Sequence, residues 1–180
     1  METERELLDA IRSGNREALK RLYDRFSGYA MAIGLRYIPN REEMRDVLQD
    51  SFVKILTSID QFDYRGEGSL KNWVARIVAN KAIDYLREHE RINFVDTIPE
   101  ELDEEATDMI DIPPDILTEM IGRLPDNYRL VLNFFVFQQQ SHKEIAQFLG
   151  IKESTSASIY FRARKMLSRM IKEYLNRQER

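Results

Sequence analysis

The 180-residue chain has no cysteine, which excludes disulfides and thiolate metal centres and is what a reducing compartment permits. Histidine is almost as scarce. His89 and His142 are the only two; neither has a partner at metal-ligand spacing, and neither is assigned any chemistry. Carboxylates such as Asp46, Asp50 and Asp84 cluster, but without a histidine, a nucleophile or a glycine-rich cradle they argue against a hydrolase or a metal enzyme. The chain reads as a non-enzyme, with no cofactor and no metal. Long hydrophobic runs are missing too: VLNFFVF at 131–137 is far shorter than the roughly 20 apolar residues a bilayer requires. The opening METERELLDA is charged throughout and shows no signal peptide. There is no internal repeat and no strand-like alternation. These absences leave a soluble, cytoplasmic, helical protein with no membrane insertion.

What is present is enough apolar material, 43%, to build real cores in one domain or two small ones. The net charge of −4 conceals a strong asymmetry. Residues 1–90 hold 16 acidic side chains against 15 basic, residues 91–120 hold 10 against 1, and residues 121–180 hold 5 against 11. A polyanion could dock on the basic end while the acidic middle stays clear of it, because a charge's field fades within about 8–10 Å at ordinary salt.

Helical periodicity organises the first half. A short helix begins at ERELLDAIR and stops at Gly14. Asn15 caps a longer one with Leu19, Leu22, Phe26, Ala30, Ile33 and Tyr37 inward, closed by Pro39. Asn40 caps a third, whose buried stripe is Met44, Val47, Leu48, Phe52, Ile55 and Leu56. SIDQFDYRGEGS is a loop, and Ser69 is placed to cap the next helix. From Ile92 to Pro114 the pattern lapses into prolines and acids, as a linker does. Beyond it, residues 115–124 are helical, and Pro125 opens a helix running to about Phe137. Ser141 and Glu144 form a capping box ahead of Ile145, Ala146, Phe148 and Leu149; Gly150 ends that helix, and a long one starts near Glu153.

Two features bear on function. In NWVARIVANKAIDYLREHER, residues 72–91, helical winding brings Arg76, Arg87, Asn80 and Arg91 into a strip about 60° wide. That is either an ordinary solvated face, as Asp84 at its rim allows, or a surface for a polyanion. The short capped helix, the LGI turn and the long helix have the layout of a helix-turn-helix, which any two packed helices can imitate. In the last helix the inward stripe is expected at Ser156, Tyr160, Ala163, Leu167 and Met170, leaving Arg162, Arg164, Lys165 and Arg169 outward for phosphates.

DVLQDSFVKIL (46–56) followed by NWVARIVANKAIDYLREHER resembles region 2 of the sigma-70 family of bacterial transcription initiation factors, in its extracytoplasmic-function (ECF) group. LPDNYRLVLNFFVFQQQSHKEIAQFLGIKESTSASIYFRARKML (124–167) resembles region 4. The resemblance implies an all-α protein of two helical domains, a region 2 bundle (1–91) and a region 4 helix-turn-helix (115–180), joined by a flexible acidic linker (92–114). It implies a factor that binds core RNA polymerase and promoter DNA, directs promoter recognition and melting, and has an anti-sigma factor as a further partner. The linker either imitates RNA in the polymerase's channels or is a plain spacer.

Carried over residue by residue, Asp46, Gln49 and Asp50 would dock on the polymerase clamp helices, carboxylates meeting arginines. Arg76, Asn80, Arg87 and Arg91 would lie along the minus-ten element, the arginines on phosphates and Asn80 at a base edge. In the loop before that helix, Phe62 and Tyr64 would stack on an unpaired base while Arg65 or Lys71 holds a phosphate; Trp73 belongs in the core. At the minus-thirty-five element Thr155 and Ser158 fit the family's pattern, and Arg162 and Arg164 remain as cationic contacts. Ser156 stands in place of a buried valine. Ala157 and Ile159 replace basic residues and could touch a thymine methyl instead. The competing reading is an autonomous helix-turn-helix regulator, which binds duplex DNA without polymerase and has no use for the Asp46–Asp50 face.

Overall fold

A computed structural model describes residues 2–94 and 112–178. Most of the expected acidic linker, 95–111, lies outside the described residues. Among the described residues the fold is all-α, and the chain divides into two compact units, 1–89 and 90–180.

Unit 1 consists of α1 (Glu4–Arg12), α2 (Arg16–Leu35), α3 (Arg41–Ser58) and α4 (Ser69–Glu88), with a single 3₁₀ turn at Ile59–Gln61 after α3. Helices α2, α3 and α4 pack on one another, and α1 lies on α2. The caps form where the sequence places them: Asn15 Oδ1 accepts from Glu17 N at 2.9 Å, and Asn40 Oδ1 accepts from Glu42 N at 2.9 Å. Leu7, Leu8, Leu22, Ile38, Met44, Ile55, Leu70, Ile83 and Leu86 are fully buried. The α2–α3 crossing is close at Gly34, where the Met44 side chain fills the space a Cβ would take. Leu56 departs from expectation, being 38% exposed. The α3 stripe continues through Ser51 and Ile55 to Ile59, which turns Leu56 off its edge; Ser51 tolerates burial by donating to Val47 O at 2.7 Å.

Unit 2 contains α5 (Pro114–Gly122), α6 (Asp126–Leu132), a π-helical turn (Asn133–Phe137), α7 (His142–Leu149) and α8 (Glu153–Gln178). The single helix expected from Pro125 to Phe137 is therefore α-helical only to Leu132. Its last turn widens, and Gln138 N donates to the carbonyl five residues back, Asn133 O, at 3.1 Å. Met120, Leu124, Leu132, Ala163 and Leu167 form a core that Tyr128, Tyr160 and Met170 cover. The Ser141–Glu144 capping box is present, and Gly150 adopts φ 69°, the left-handed conformation that stops α7.

Arg129 is 2% exposed, an arginine the periodicity gives no reason to bury. Its Nη1 donates to the carbonyls of Leu124 at 2.7 Å and Gly122 at 3.2 Å, and its Nη2 pairs with Asp126. Burial pulls its pKa down while the Asp126 charge opposes that shift. The guanidinium thus satisfies carbonyls left over where α5 ends and compensates its own desolvation through Asp126. Replacing Arg129 by Met leaves those carbonyls without their donor, so a loss on the order of 3 kcal/mol is expected. Ser141→Ala removes one cap and should cost about 1 kcal/mol. Urea denaturation of the two variants checks both the sizes and their order.

Candidate nucleic-acid interface

Helix α4 begins at Ser69, but Ser69 does not cap it. Gly68, at φ 90°, occupies the cap position with no side chain to offer, and Ser69 Oγ donates to Gly66 O at 2.6 Å. The anion comes from far along the chain. Glu4, 2% exposed, accepts from Gly68 N at 2.9 Å and Leu70 N at 3.0 Å through Oε2, and from Lys71 N at 3.1 Å through Oε1. A carboxylate facing the amide end of a helix is favoured by the helix dipole as well as by charge-assisted hydrogen bonds, each contributing about 1.5–3 kcal/mol. Sequence reasoning missed Glu4 because a capping partner more than sixty residues away leaves no local signal.

On α4, Arg76, Asn80 and Arg87 are exposed along one edge, while Val74, Val78, Ala82 and Leu86 are buried on the other side. Asp84 is exposed beside them. The fourth member of the expected strip leaves it. The helix ends at Glu88, Glu90 takes a left-handed φ of 54°, and Arg91 belongs with unit 2. There Arg91 Nε donates to Asp126 Oδ2 at 2.7 Å, the carboxylate that also pairs with Arg129. Asn93 O accepts from Asn127 Nδ2 at 3.3 Å, and Phe94 lines a hollow with Gly150, Ile151, Lys152 and Thr155.

The loop ahead of α4 sorts its expected residues differently. The Phe62 ring is 8% exposed and packs against Trp73, with centroids 5.0 Å apart; it is a core residue here and presents no face to a base. Tyr64 is half-buried and donates its hydroxyl to Glu67 Oε2 at 3.4 Å; partial desolvation and then the Glu67 charge push its pKa up, keeping it a donor. Arg65 is exposed and paired with Asp63, itself exposed, at 3.1 Å, a pairing of small worth in water. Lys71 Nζ stands 4.5 Å from the Tyr29 ring centroid, a cation–π contact. On α3, Asp46, Gln49 and Asp50 are all exposed, joined on that side by Val53 at 61%.

In α8 the buried positions are Thr155, Ser156, Ile159, Ala163 and Leu167. The expected stripe is therefore turned toward Thr155 and Ile159, while Tyr160 and Met170 are only half-buried. Ile159 at 4% and Thr155 at 6% exposure face the core, which removes the suggested thymine contact of Ile159 and leaves Thr155 little surface for DNA. Helical winding puts Ser154, Ser158, Arg162, Lys165 and Arg169 within about 80° of one another, with Ser154, Lys165 and Arg169 exposed and Ser158 and Arg162 half-buried. Arg164, also exposed, lies off that edge, with its guanidinium carbon 5.9 Å from the Tyr160 ring centroid. Ser156 has no exposed surface, and its Oγ lies 3.0 Å from His142 Nδ1. His142 stacks on Phe135 at 4.5 Å, so the histidine left without a role joins the two helices of the motif.

Comparison with known proteins bears on the family of the chain. The family model for Sigma-70 region 2 matches residues 22–92, and that for Sigma-70, region 4 matches residues 115–167. The ECF RNA polymerase sigma-E factor of Haemophilus influenzae is 28% identical over 184 residues, covering 94% of this chain and 95% of the relative. The ECF RNA polymerase sigma factor SigM of Bacillus subtilis is 28% identical over 136 residues, 73% of this chain and 81% of the relative. A solved structure of CnrH in complex with the cytosolic domain of CnrY aligns at 24% identity and a TM-score of 0.49, covering 96% of this chain and 99% of that one. The chain belongs to the sigma-70 family, in its ECF group. It is a promoter-directing sigma factor, and sigma factors are non-enzymatic factors of transcription initiation. Among the described residues no helix is long and apolar enough to cross a membrane.

His142 supplies a pH dependence whose sign follows from its surroundings. Burial lowers its pKa below the ordinary 6.5, and the Glu153 charge offsets part of that shift. The unfolded chain then binds more protons than the folded one below pH 6.5, so the stability carried by the neutral ring is complete above that pH and is lost as pH falls from there through the folded ring's lower pKa. His142→Phe keeps a ring on Phe135 and removes the titration. Thermal melts between pH 7 and pH 5 should fall more steeply for the wild type than for this variant.

Proposed function

We propose that this sigma factor, working in the cytoplasm and making no bond change itself, docks on core RNA polymerase through the α3 face of Asp46, Gln49 and Asp50. Helix α4 and the loop before it then hold an opened minus-ten element. Arg76 and Arg87 neutralise phosphates, and Asn80, a donor and an acceptor at once, reads a base edge. Tyr64 is the loop's stacking surface, with Arg65 or Lys71 on the neighbouring phosphate. The observation that carries this reading is the exposure of Arg76, Asn80 and Arg87 along one edge of a helix whose N-terminal end adjoins Tyr64 and Arg65. Stacking contributes roughly 1–3 kcal/mol per base, comparable with the cost of unstacking it, so capture can offset opening.

In the second unit, Arg164 is the exposed one of the expected contacts on α8 and Ser158 and Arg162 are half-buried, with Lys165 and Arg169 exposed on the same helix. With few hydrogen-bonding groups aimed at bases there, that half holds DNA mainly by its phosphates, and its sequence preference is weak. Arg91 serves as a tie to Asp126 rather than as a member of the α4 strip.

Holoenzyme binding to a labelled minus-ten single strand tests the α4 assignment. Arg76→Ala should weaken binding to every sequence and reduce the slope of log affinity against log salt by about 0.7, the share of one phosphate contact on a single strand. Asn80→Ala should instead relax preference at one base. Asp50→Arg reverses a charge on the α3 face and should abolish pull-down of core polymerase; undiminished recovery contradicts the docking assignment and favours an autonomous DNA-binding regulator.

A further inference from the structure

We infer that α1 is a clamp on the base-capturing loop and that Glu4 and Arg12, at its two ends, are positioning residues for promoter opening. The inference rests on the reading of the loop given above. It concerns a helix that lies before the residues matched by the region 2 model, 22–92.

The loop's two ends are held by opposite ends of the same short helix. Arg12, the last residue of α1, donates from Nη2 to Phe62 O at 2.6 Å, where the loop leaves the 3₁₀ turn. Glu4, the first residue of α1, accepts the amides of Gly68, Leu70 and Lys71, where the loop becomes α4. Both contacts join a charged side chain to neutral backbone, the stronger class of hydrogen bond. Tyr64 and Arg65 lie between these fixed points.

A second tier steadies the far end. Glu67 Oε2 accepts from Glu4 N at 3.1 Å and from the Tyr64 hydroxyl, while Glu67 Oε1 accepts from Arg25 Nη2 at 3.2 Å. Arg21 and Arg25 of α2 bind Glu2 through its carboxylate and its carbonyl respectively. The aromatic proposed to stack on a base is thereby connected, through Glu67, to the backbone of Glu4.

An ordinary local cap would fix the start of α4 and nothing else. Taking the cap from α1 fixes α4, the loop and α1 with respect to one another, so a loop that must meet an unstacked base is held in place before DNA arrives. The α3 face proposed for polymerase has no part in these hydrogen bonds. Loosening the clamp should therefore impair base capture and leave polymerase binding intact.

The test uses holoenzyme and a minus-ten single strand carrying 2-aminopurine at the unpaired positions, whose fluorescence changes when a base leaves its neighbours for the Tyr64 ring, so that titration of the change gives the strength of capture. Glu4→Gln puts an amide donor among amide donors, and Arg12→Ala removes the guanidinium; both leave Leu7, Leu8 and Ile11 of α1 in the core. Each variant should capture the base about tenfold more weakly, with core-polymerase recovery as in the wild type; the melting temperature falls for Glu4→Gln, whose buried carboxylate loses charge-assisted hydrogen bonds, and falls less for Arg12→Ala. Glu4→Asp, which keeps the charge, should stay within about threefold of the wild type. Because the two residues act on one loop, the double variant should lose little more than either single one. Wild-type capture by folded Glu4→Gln and Arg12→Ala overturns the clamp, and if Glu4→Gln fails to fold, wild-type capture by Arg12→Ala does so alone. Arg76→Ala and Asn80→Ala are the controls on the underlying reading: normal strand binding by both defeats the α4 assignment, whereas their failure beside normal capture in the clamp variants defeats the clamp only.

Discussion

A buried carboxylate facing three backbone amides governs the first unit. Glu4 cannot be withdrawn from water without hydrogen-bond partners, and the start of α4 cannot be buried without acceptors. Each meets the other's requirement, and the result fixes where α4 begins. Packing of Val74, Val78, Ala82 and Leu86 then fixes its rotation, and the side that remains carries Arg76, Asn80 and Arg87. The exposed edge proposed to meet DNA follows from two constraints, neither of which involves DNA.

The second unit applies the complementary device. Where Glu4 places negative charge at a helix's amide end, Arg129 places positive charge at the carbonyls where α5 ends. The two choices agree with the helix dipole, which favours anions at the first turn and cations at the last. Asp126 then serves two arginines, Arg129 from its own helix and Arg91 from the residues that follow α4. Polar burial recurs inside the helix-turn-helix, where His142 and Ser156 meet across α7 and α8. A serine at a position where the family's pattern has valine would be an uncompensated hydroxyl without that partner.

Local signals were legible in the sequence and distant ones were not. Asn15, Asn40 and the Ser141–Glu144 pair declare their helices because a cap and its amides lie within three residues. The helices and the acidic interruption followed from periodicity and composition, and the division into two helical domains from the family resemblance. Ser69 misled because its chemistry suits a cap while the tight turn from Gly66 to Ser69 uses its hydroxyl. The α8 stripe was read correctly at Ser156, Ala163 and Leu167 and out of phase at its edge, because Thr155 looks polar and its burial accompanies that of Ile159, with Tyr160 and Met170 left half-buried. Phe62 and Trp73 could each have been core or platform by composition; the structure pairs them with each other. Of the four residues expected on one helical strip over 72–91, Arg76, Asn80 and Arg87 lie exposed on α4 and Arg91 lies beyond its end, because the left-handed Glu90 comes between Glu88 and Arg91.

The function proposed above divides labour between faces: an acidic edge on α3 for the enzyme, a cationic edge on α4 with its loop for opened DNA, and a basic edge on α8 for duplex. No one of these makes a promoter factor without the other two. Run-off transcription with purified core polymerase on a pool of duplex promoters puts all three to work at once. Start sites that appear only when this chain is added are what the account requires; a transcript pattern identical with and without it would contradict the account.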